Sequence, residues 1–135
     1  MPGEATQQGA SIALDAINGR ATQTARNTYL ALLTVAATDV NTIAQLTEVV
    51  TSGYARQQVT WGAPSGDPTV AANSAVITFG PFTADPPNIG FLALVSSASG
   101  TAGDLLYRWT ADTARDGILG DSITIAAGAL TMSLD

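Results

Sequence analysis

Hydrophobic positions along this chain change their period once, close to Gly19. Before it, Ala10, Ala13, Leu14 and Ile17 fall at i, i+3, i+4 and i+7, one face of a helix, and Gly19 supplies a C-terminal stop. A short helix is therefore expected over residues 10–18, and at that length it needs to dock its apolar stripe to persist. Residues 1–9 are small and polar, with Pro2, Gly3 and Gly9 and no period. They read as a flexible or partner-contacting arm ahead of a single domain at 10–135.

After Gly19 the pattern becomes that of short strands separated by Gly, Pro, Asn, Asp and Ser clusters. Thr28–Thr34 is almost continuously apolar, which predicts a strand buried on both faces, beneath the helix or a neighbouring subunit. Leu46–Val50 and Tyr54–Trp61, joined by Thr51-Ser52-Gly53, read as a hairpin. Ala55, Gln57, Val59 and Trp61 would then look inward, and Tyr54, Arg56, Gln58 and Thr60 outward. Ala72–Phe79 alternates as a further strand, whereas Pro86-Pro87 confine Pro81–Asn88 to a loop or an edge. Ile89–Val95 reads as a buried strand. Asp104–Thr110 reads as one with Leu105, Tyr107 and Trp109 on a common face, followed by a polar loop at Ala111–Gly117. Ile123 and Ile125, then Leu130, Met132 and Leu134, alternate about Ala126-Ala127-Gly128 as a closing hairpin. About eight closely spaced strands after one helix, with no crossover helices between them, predict a mainly β domain, an antiparallel sandwich or jelly roll.

Composition narrows the chemistry more than the fold. The 135 residues are 46% hydrophobic and 12% charged, so a folded domain with one core is expected. There is no Cys and no His, and all five basic residues are Arg. Without thiol, imidazole or amine, the chain has no Ser-His triad, no cysteine nucleophile, no Schiff base and no zinc site of the usual kind. The net charge is −6 and Arg20, Arg26, Arg56, Arg108 and Arg115 are scattered, so no nucleic-acid partner is expected. The longest apolar runs, Tyr29–Leu33 and Phe91–Val95, are far too short to span a bilayer, and residues 1–8 lack the form of a secretory signal. Absence of Cys fits synthesis in a reducing cytoplasm.

Carboxylates and hydroxyls are all that remains for catalysis or metal binding. Asp104, Asp112, Asp116 and Asp121 sit near predicted turns, where Asp ordinarily caps backbone amides, and no EF-hand calcium spacing is present. Neither a glycosidase pair among Glu4, Glu48 and the aspartates nor a phosphate cradle at Gly117–Gly120 stands out, so no catalytic residue, metal or cofactor is assigned. A carboxylate hydrolase is the weakest of the readings weighed. The Tyr54, Arg56, Trp61, Tyr107, Arg108 and Trp109 group has interface-type composition, although core packing is the weightier expectation for both tryptophans. The candidate interface residues are thus Met1, Pro2, Gly3 and Glu4 in the arm, with Tyr54, Arg56 and Arg108.

Several segments occur together in a familiar order: Thr28-Tyr-Leu-Ala-Leu-Leu-Thr34, Gly53-Tyr-Ala-Arg-Gln57, Val59-Thr-Trp-Gly-Ala-Pro64, Asn73-Ser-Ala-Val-Ile-Thr-Phe79, Leu105-Leu-Tyr107 and Gly120-Asp-Ser-Ile-Thr-Ile-Ala-Ala-Gly-Ala-Leu-Thr131. From about Ala10 to Asp135 the chain resembles small tailed-bacteriophage virion proteins, labelled tail fibre, minor tail or capsid decoration proteins. It departs where relatives tend to carry an acid after Phe91–Val95, since Ser96-Ser97 stand there. The resemblance implies a non-enzymatic virion protein. Its leading form is a decoration protein on the capsid exterior, the partners it implies being the major capsid protein and copies of itself in a homotrimer. Its alternative is a tail fibre or minor tail protein contacting other tail proteins or a host glycan.

Overall fold

The computed structural model describes residues 1–21, 25–115 and 120–133. Among these residues, nine strands and one α-helix run in the order β1 (Pro2–Ala5), α1 (Gln7–Ile17), β2 (Thr28–Leu33), β3 (Gln57–Val59), β4 (Val70–Ala72), β5 (Ile77–Phe79), β6 (Ile89–Val95), β7 (Leu105–Arg115), β8 (Ile123–Ile125) and β9 (Thr131–Ser133). Seven strands form one sheet, ordered β3-β2-β6-β7-β1-β9-β4, which curls into a half-barrel, and β5 and β8 pair as a second, small sheet. The domain is mainly β and sandwich-like with a short N-terminal helix, as the strand spacing predicts. Its pairs are antiparallel except β1 with β9.

Alternation along β2 explains the core. Leu30 and Leu32 point with Val59, Leu92, Leu94, Tyr107 and Trp109 into the main cluster, closed by Phe79, Phe82 and Ile125. Ala31 and Leu33 point the other way, with Ala93, Val95 and Leu105, under a lid made by Ala37 and Ile43. The double-sided burial expected of this strand is therefore real, and its second face is covered by the loop that follows it.

Residues 1–9 are not an arm. Glu4 pairs with Arg108 and Ala5 with Tyr107 on β7, while Pro2 and Gly3 pair with Thr131 and Met132 on β9, so β1 sits inside the large sheet. Two glycines that look like flexibility are there for close approach. A Cβ at Gly3 would lie 2.4 Å from the Trp109 indole nitrogen, and one at Gly9 would lie 2.0 Å from the Leu106 carbonyl oxygen. The helix accordingly starts earlier than its apolar stripe: buried Thr6 caps it, its hydroxyl accepting from the Gly9 amide at 3.1 Å and donating to the Leu105 carbonyl. The stripe also fails to dock as expected. Ile12 packs on the core, whereas Leu14 and Ile17 remain 57% and 72% exposed.

Two expected hairpins are replaced by longer-range pairing. Glu48 bridges Leu33 and the Val49 amide donates to the Leu32 carbonyl, while β3 pairs with Thr28–Leu30 further along β2. Segments 47–49 and 57–59 thus continue one edge of the sheet, and residues 50–56 are an excursion from it. The end of the chain behaves similarly. Gly128 takes positive φ (81°) in a turn closed by the Ala129 amide on the Ala126 carbonyl, but β8 leaves for β5 and β9 for β1 and β4. Asn73 explains the parting. Its Nδ2 donates to the carbonyls of Ala75 (2.9 Å) and Ala126 (3.0 Å), its Oδ1 accepts from the Leu130 amide (2.9 Å), and it is 2% exposed. Wedged there, it also divides the predicted strand Ala72–Phe79 into β4 and β5, one in each sheet.

The run after Asp104 differs too. A register shift between Leu94 and Val95 turns Leu105 to the second cluster, opposite Tyr107 and Trp109, and β7 continues to Arg115 through part of the expected polar loop. Pro81–Asn88 is loop as predicted. Asp116, Gly117 and Leu134 lie outside the described residues.

Candidate functional site

The excursion at residues 50–56 returns Tyr54 and Arg56 to the Glu48 carboxylate. Arg56 forks onto it side-on, with Nε to Oε2 at 2.9 Å and Nη2 to Oε1 at 2.8 Å. Its remaining donors reach the Ser97 carbonyl (3.0 Å), the Ser97 hydroxyl (3.2 Å) and the Gly100 carbonyl (2.9 Å). Tyr54 donates its hydroxyl to Glu48 at 2.5 Å, accepts from the Leu32 amide at 3.1 Å and stacks on Phe79. The Arg56 side chain is only 5% exposed. Burial, and then the bond to Glu48, push the Tyr54 hydroxyl well above its ordinary range, while Glu48 raises the already high Arg56 value. These groups face inward and clip an edge of the sheet to the Ser96–Gly103 loop; the outward placement expected of Tyr54 and Arg56 does not occur, because residues 54–56 precede the strand.

The other named residues cluster across the sheet. Met1 donates its ammonium to the Ala129 carbonyl at 2.9 Å and packs on the core. Pro2 and Glu4 line a groove of about 260 Å³ together with Ala36, Ala37, Phe91 and Arg108. Arg108 Nη2 meets the Glu4 carboxylate at 2.5 Å and Nη1 donates to the Ala37 carbonyl at 3.1 Å. Its Nε is buried without a hydrogen-bond partner. Gly3 lies beneath Trp109 rather than at this groove.

Both tryptophans serve packing. Trp109 is buried, donates to the Thr131 carbonyl at 2.8 Å and stacks against Tyr107 and Trp61; half-buried Trp61 donates to the Thr28 hydroxyl at 3.1 Å. Of the acidic residues, Asp104 lies 4.0 Å from Arg26 and Asp112 lines the mouth of an apolar cavity with Met1, Leu92 and Ile125. Among the described residues, no three acidic side chains converge as a metal site, and no helix is long and apolar enough to cross a membrane. Sequence reasoning missed Thr6, Ala37, Glu48, Asn73 and Phe91 as partners. Glu48 meets partners only six and eight residues on, while the others reach distant segments, and no local spacing announces any of them.

The polar groups around Tyr54, Arg56 and Asn73 are thus saturated by neighbouring side chains and backbone of a curled, mainly β domain. The chain belongs to the family of the Podophage GP4 fiber I protein gp80, whose model matches residues 5–133. It is therefore a phage virion protein of a fibre family. No curated protein matches the chain.

Proposed function

We propose that the chain is a non-enzymatic tail-fibre subunit that works by packing against copies of itself and neighbouring tail proteins on the virion exterior. The observation that carries this is the family match over residues 5–133. The structure supports it in two ways. The Tyr54, Arg56 and Glu48 groups are spent on holding the fold, and the exposed apolar residues Leu14 and Ile17 flank a groove lined by Gly3, Ala5, Ala10 and Ala13. Copies carrying a net charge of −6 repel one another at long range, which favours contact through a largely apolar face such as this one, whose lining carries one charged residue, Glu4, paired with Arg108.

A decoration protein would have residues 1–9 free to order against the shell or a neighbour, and those residues are occupied as β1 and the start of α1. That favours the fibre over a place on the major capsid protein. Light scattering on the purified chain tests self-association. The homotrimer is the expected state, the double variant Leu14→Ser/Ile17→Ser should shift it towards monomer, and a stable wild-type monomer at working concentration counts against the reading.

A further inference from the structure

Two arginine–carboxylate pairs of this protein, Arg56 with Glu48 and Arg108 with Glu4, are unequal. Arg56 and Glu48 complete a side-on fork through Nε and Nη2. At Arg108 the same two nitrogens are half used: Nη2 holds Glu4, Nη1 holds the Ala37 carbonyl, and Nε is buried with no partner. Buried guanidinium donors are ordinarily satisfied, and one left over beside a groove is a reason to look for a missing acceptor. Glu4 is held on the strand position directly opposite Arg108, and its side chain is 68% exposed. Little therefore keeps it on the arginine against a better-placed carboxylate.

We propose that the groove of Pro2, Ala36, Ala37, Phe91 and Arg108 binds a carboxylate-bearing sugar ring of the hexuronic type. Its carboxylate displaces Glu4 and takes Nε and Nη2 together, reproducing the Arg56 fork, while Nη1 stays on Ala37. Phe91, Pro2 and the two alanines supply apolar walls for the C–H faces of the ring, and the exposed Thr110 hydroxyl lies at the same groove for a sugar hydroxyl. Size sets the limit. A volume of about 260 Å³ falls just below the usual range for sites that enclose drug-sized ligands, so it admits one ring rather than a long stretch of polymer. Guanidinium takes planar carboxylate side-on more strongly than it takes a neutral hydroxyl, which favours the acidic sugar over a plain hexose.

The test is a titration of the full chain at constant ionic strength with glucuronate, glucose and inorganic phosphate, followed by the Arg108 Nε–H cross-peak in a nitrogen–proton spectrum. Glucuronate should move that peak saturably, and glucose should bind about tenfold more weakly, the worth of one charge-assisted bond. Glu4→Gln removes the internal competitor and should tighten glucuronate by about threefold or more, a modest electrostatic gain at a half-exposed site. Arg108→Lys, which keeps the charge but loses Nε–H, should weaken it at least tenfold; should that variant fail to fold, the sign of the Glu4→Gln change decides. Equal binding of glucose or of phosphate, no saturable shift, or Glu4→Gln binding no tighter than wild type would each overturn the proposal. None of these results depends on where the protein sits in the particle, so they are separable from the fibre assignment.

Discussion

Replacing Asn73 with alanine tests the joint on which both sheets depend. The change removes three side-chain hydrogen bonds at a residue 2% exposed. They are not equal in cost. The Leu130 amide belongs to a fully buried residue and would be left without an acceptor, a loss of about 1–3 kcal/mol. Ala75 and Ala126 are exposed, so water can replace the amide donor at their carbonyls, and each lost bond adds only about 0.5–1 kcal/mol. The sum is roughly 3 kcal/mol, or about 10 °C in Tm for a domain of this size. Urea unfolding followed by the fluorescence of Trp61 and Trp109 measures it. Asn73→Asp is the sharper companion: it keeps an acceptor for Leu130 but turns a carboxylate towards two carbonyl oxygens, so it should be at least as destabilising at neutral pH and partly recover in acid. A change under about 0.5 kcal/mol for Asn73→Ala, the level of an ordinary surface substitution, would refute the role given to this residue.

Further outcomes follow from the same contacts. Gly9→Ala should destabilise by about 3 kcal/mol, the upper end of overpacking costs, because its Cβ would meet the Leu106 backbone at 2.0 Å; a flexible arm would instead show no loss, or a gain from helix propensity, in the same urea assay. The raised Tyr54 value acts in one direction: its stabilisation is complete below the unfolded tyrosine value of about 10 and is lost as pH climbs above it, whereas Arg56 stays charged throughout that range. Tm should therefore fall steeply above that pH and less steeply in Tyr54→Phe, whereas an identical alkaline slope would contradict the buried hydroxyl. Leu14→Ser/Ile17→Ser should lower Tm only as far as loss of self-association does, since both side chains are mostly exposed within one copy, and should reduce incorporation into particles produced in vivo; normal incorporation would show that this face contacts nothing in the virion.

The β character, the buried strands Thr28–Leu33 and Ile89–Val95, and the turn at Gly128 were legible because each is set by local pattern. What local pattern does not carry is partner choice. Alternation announces that Ile123–Ile125 and Thr131–Ser133 are strands, but Asn73, fifty residues upstream in another segment, decides that they part. Gly3 and Gly9 carry the same ambiguity: a glycine permitting motion and a glycine permitting contact read alike until the indole of Trp109 and the carbonyl of Leu106 are placed above them. The candidate interface divided for a related reason. Tyr54 and Arg56 have hot-spot composition, but Glu48, whose role nothing in its neighbourhood marks, holds both. Of the two arginines named for the interface, Arg108 is the one with a buried unused donor, and it lies at a groove.

Image reconstruction of intact particles with this protein labelled tests the central claim most directly. The fibre account predicts its density in an appendage of the tail, as repeated copies in contact through the Leu14 and Ile17 face. Density confined to the outer surface of the head, or particles that lack the protein altogether, would contradict it.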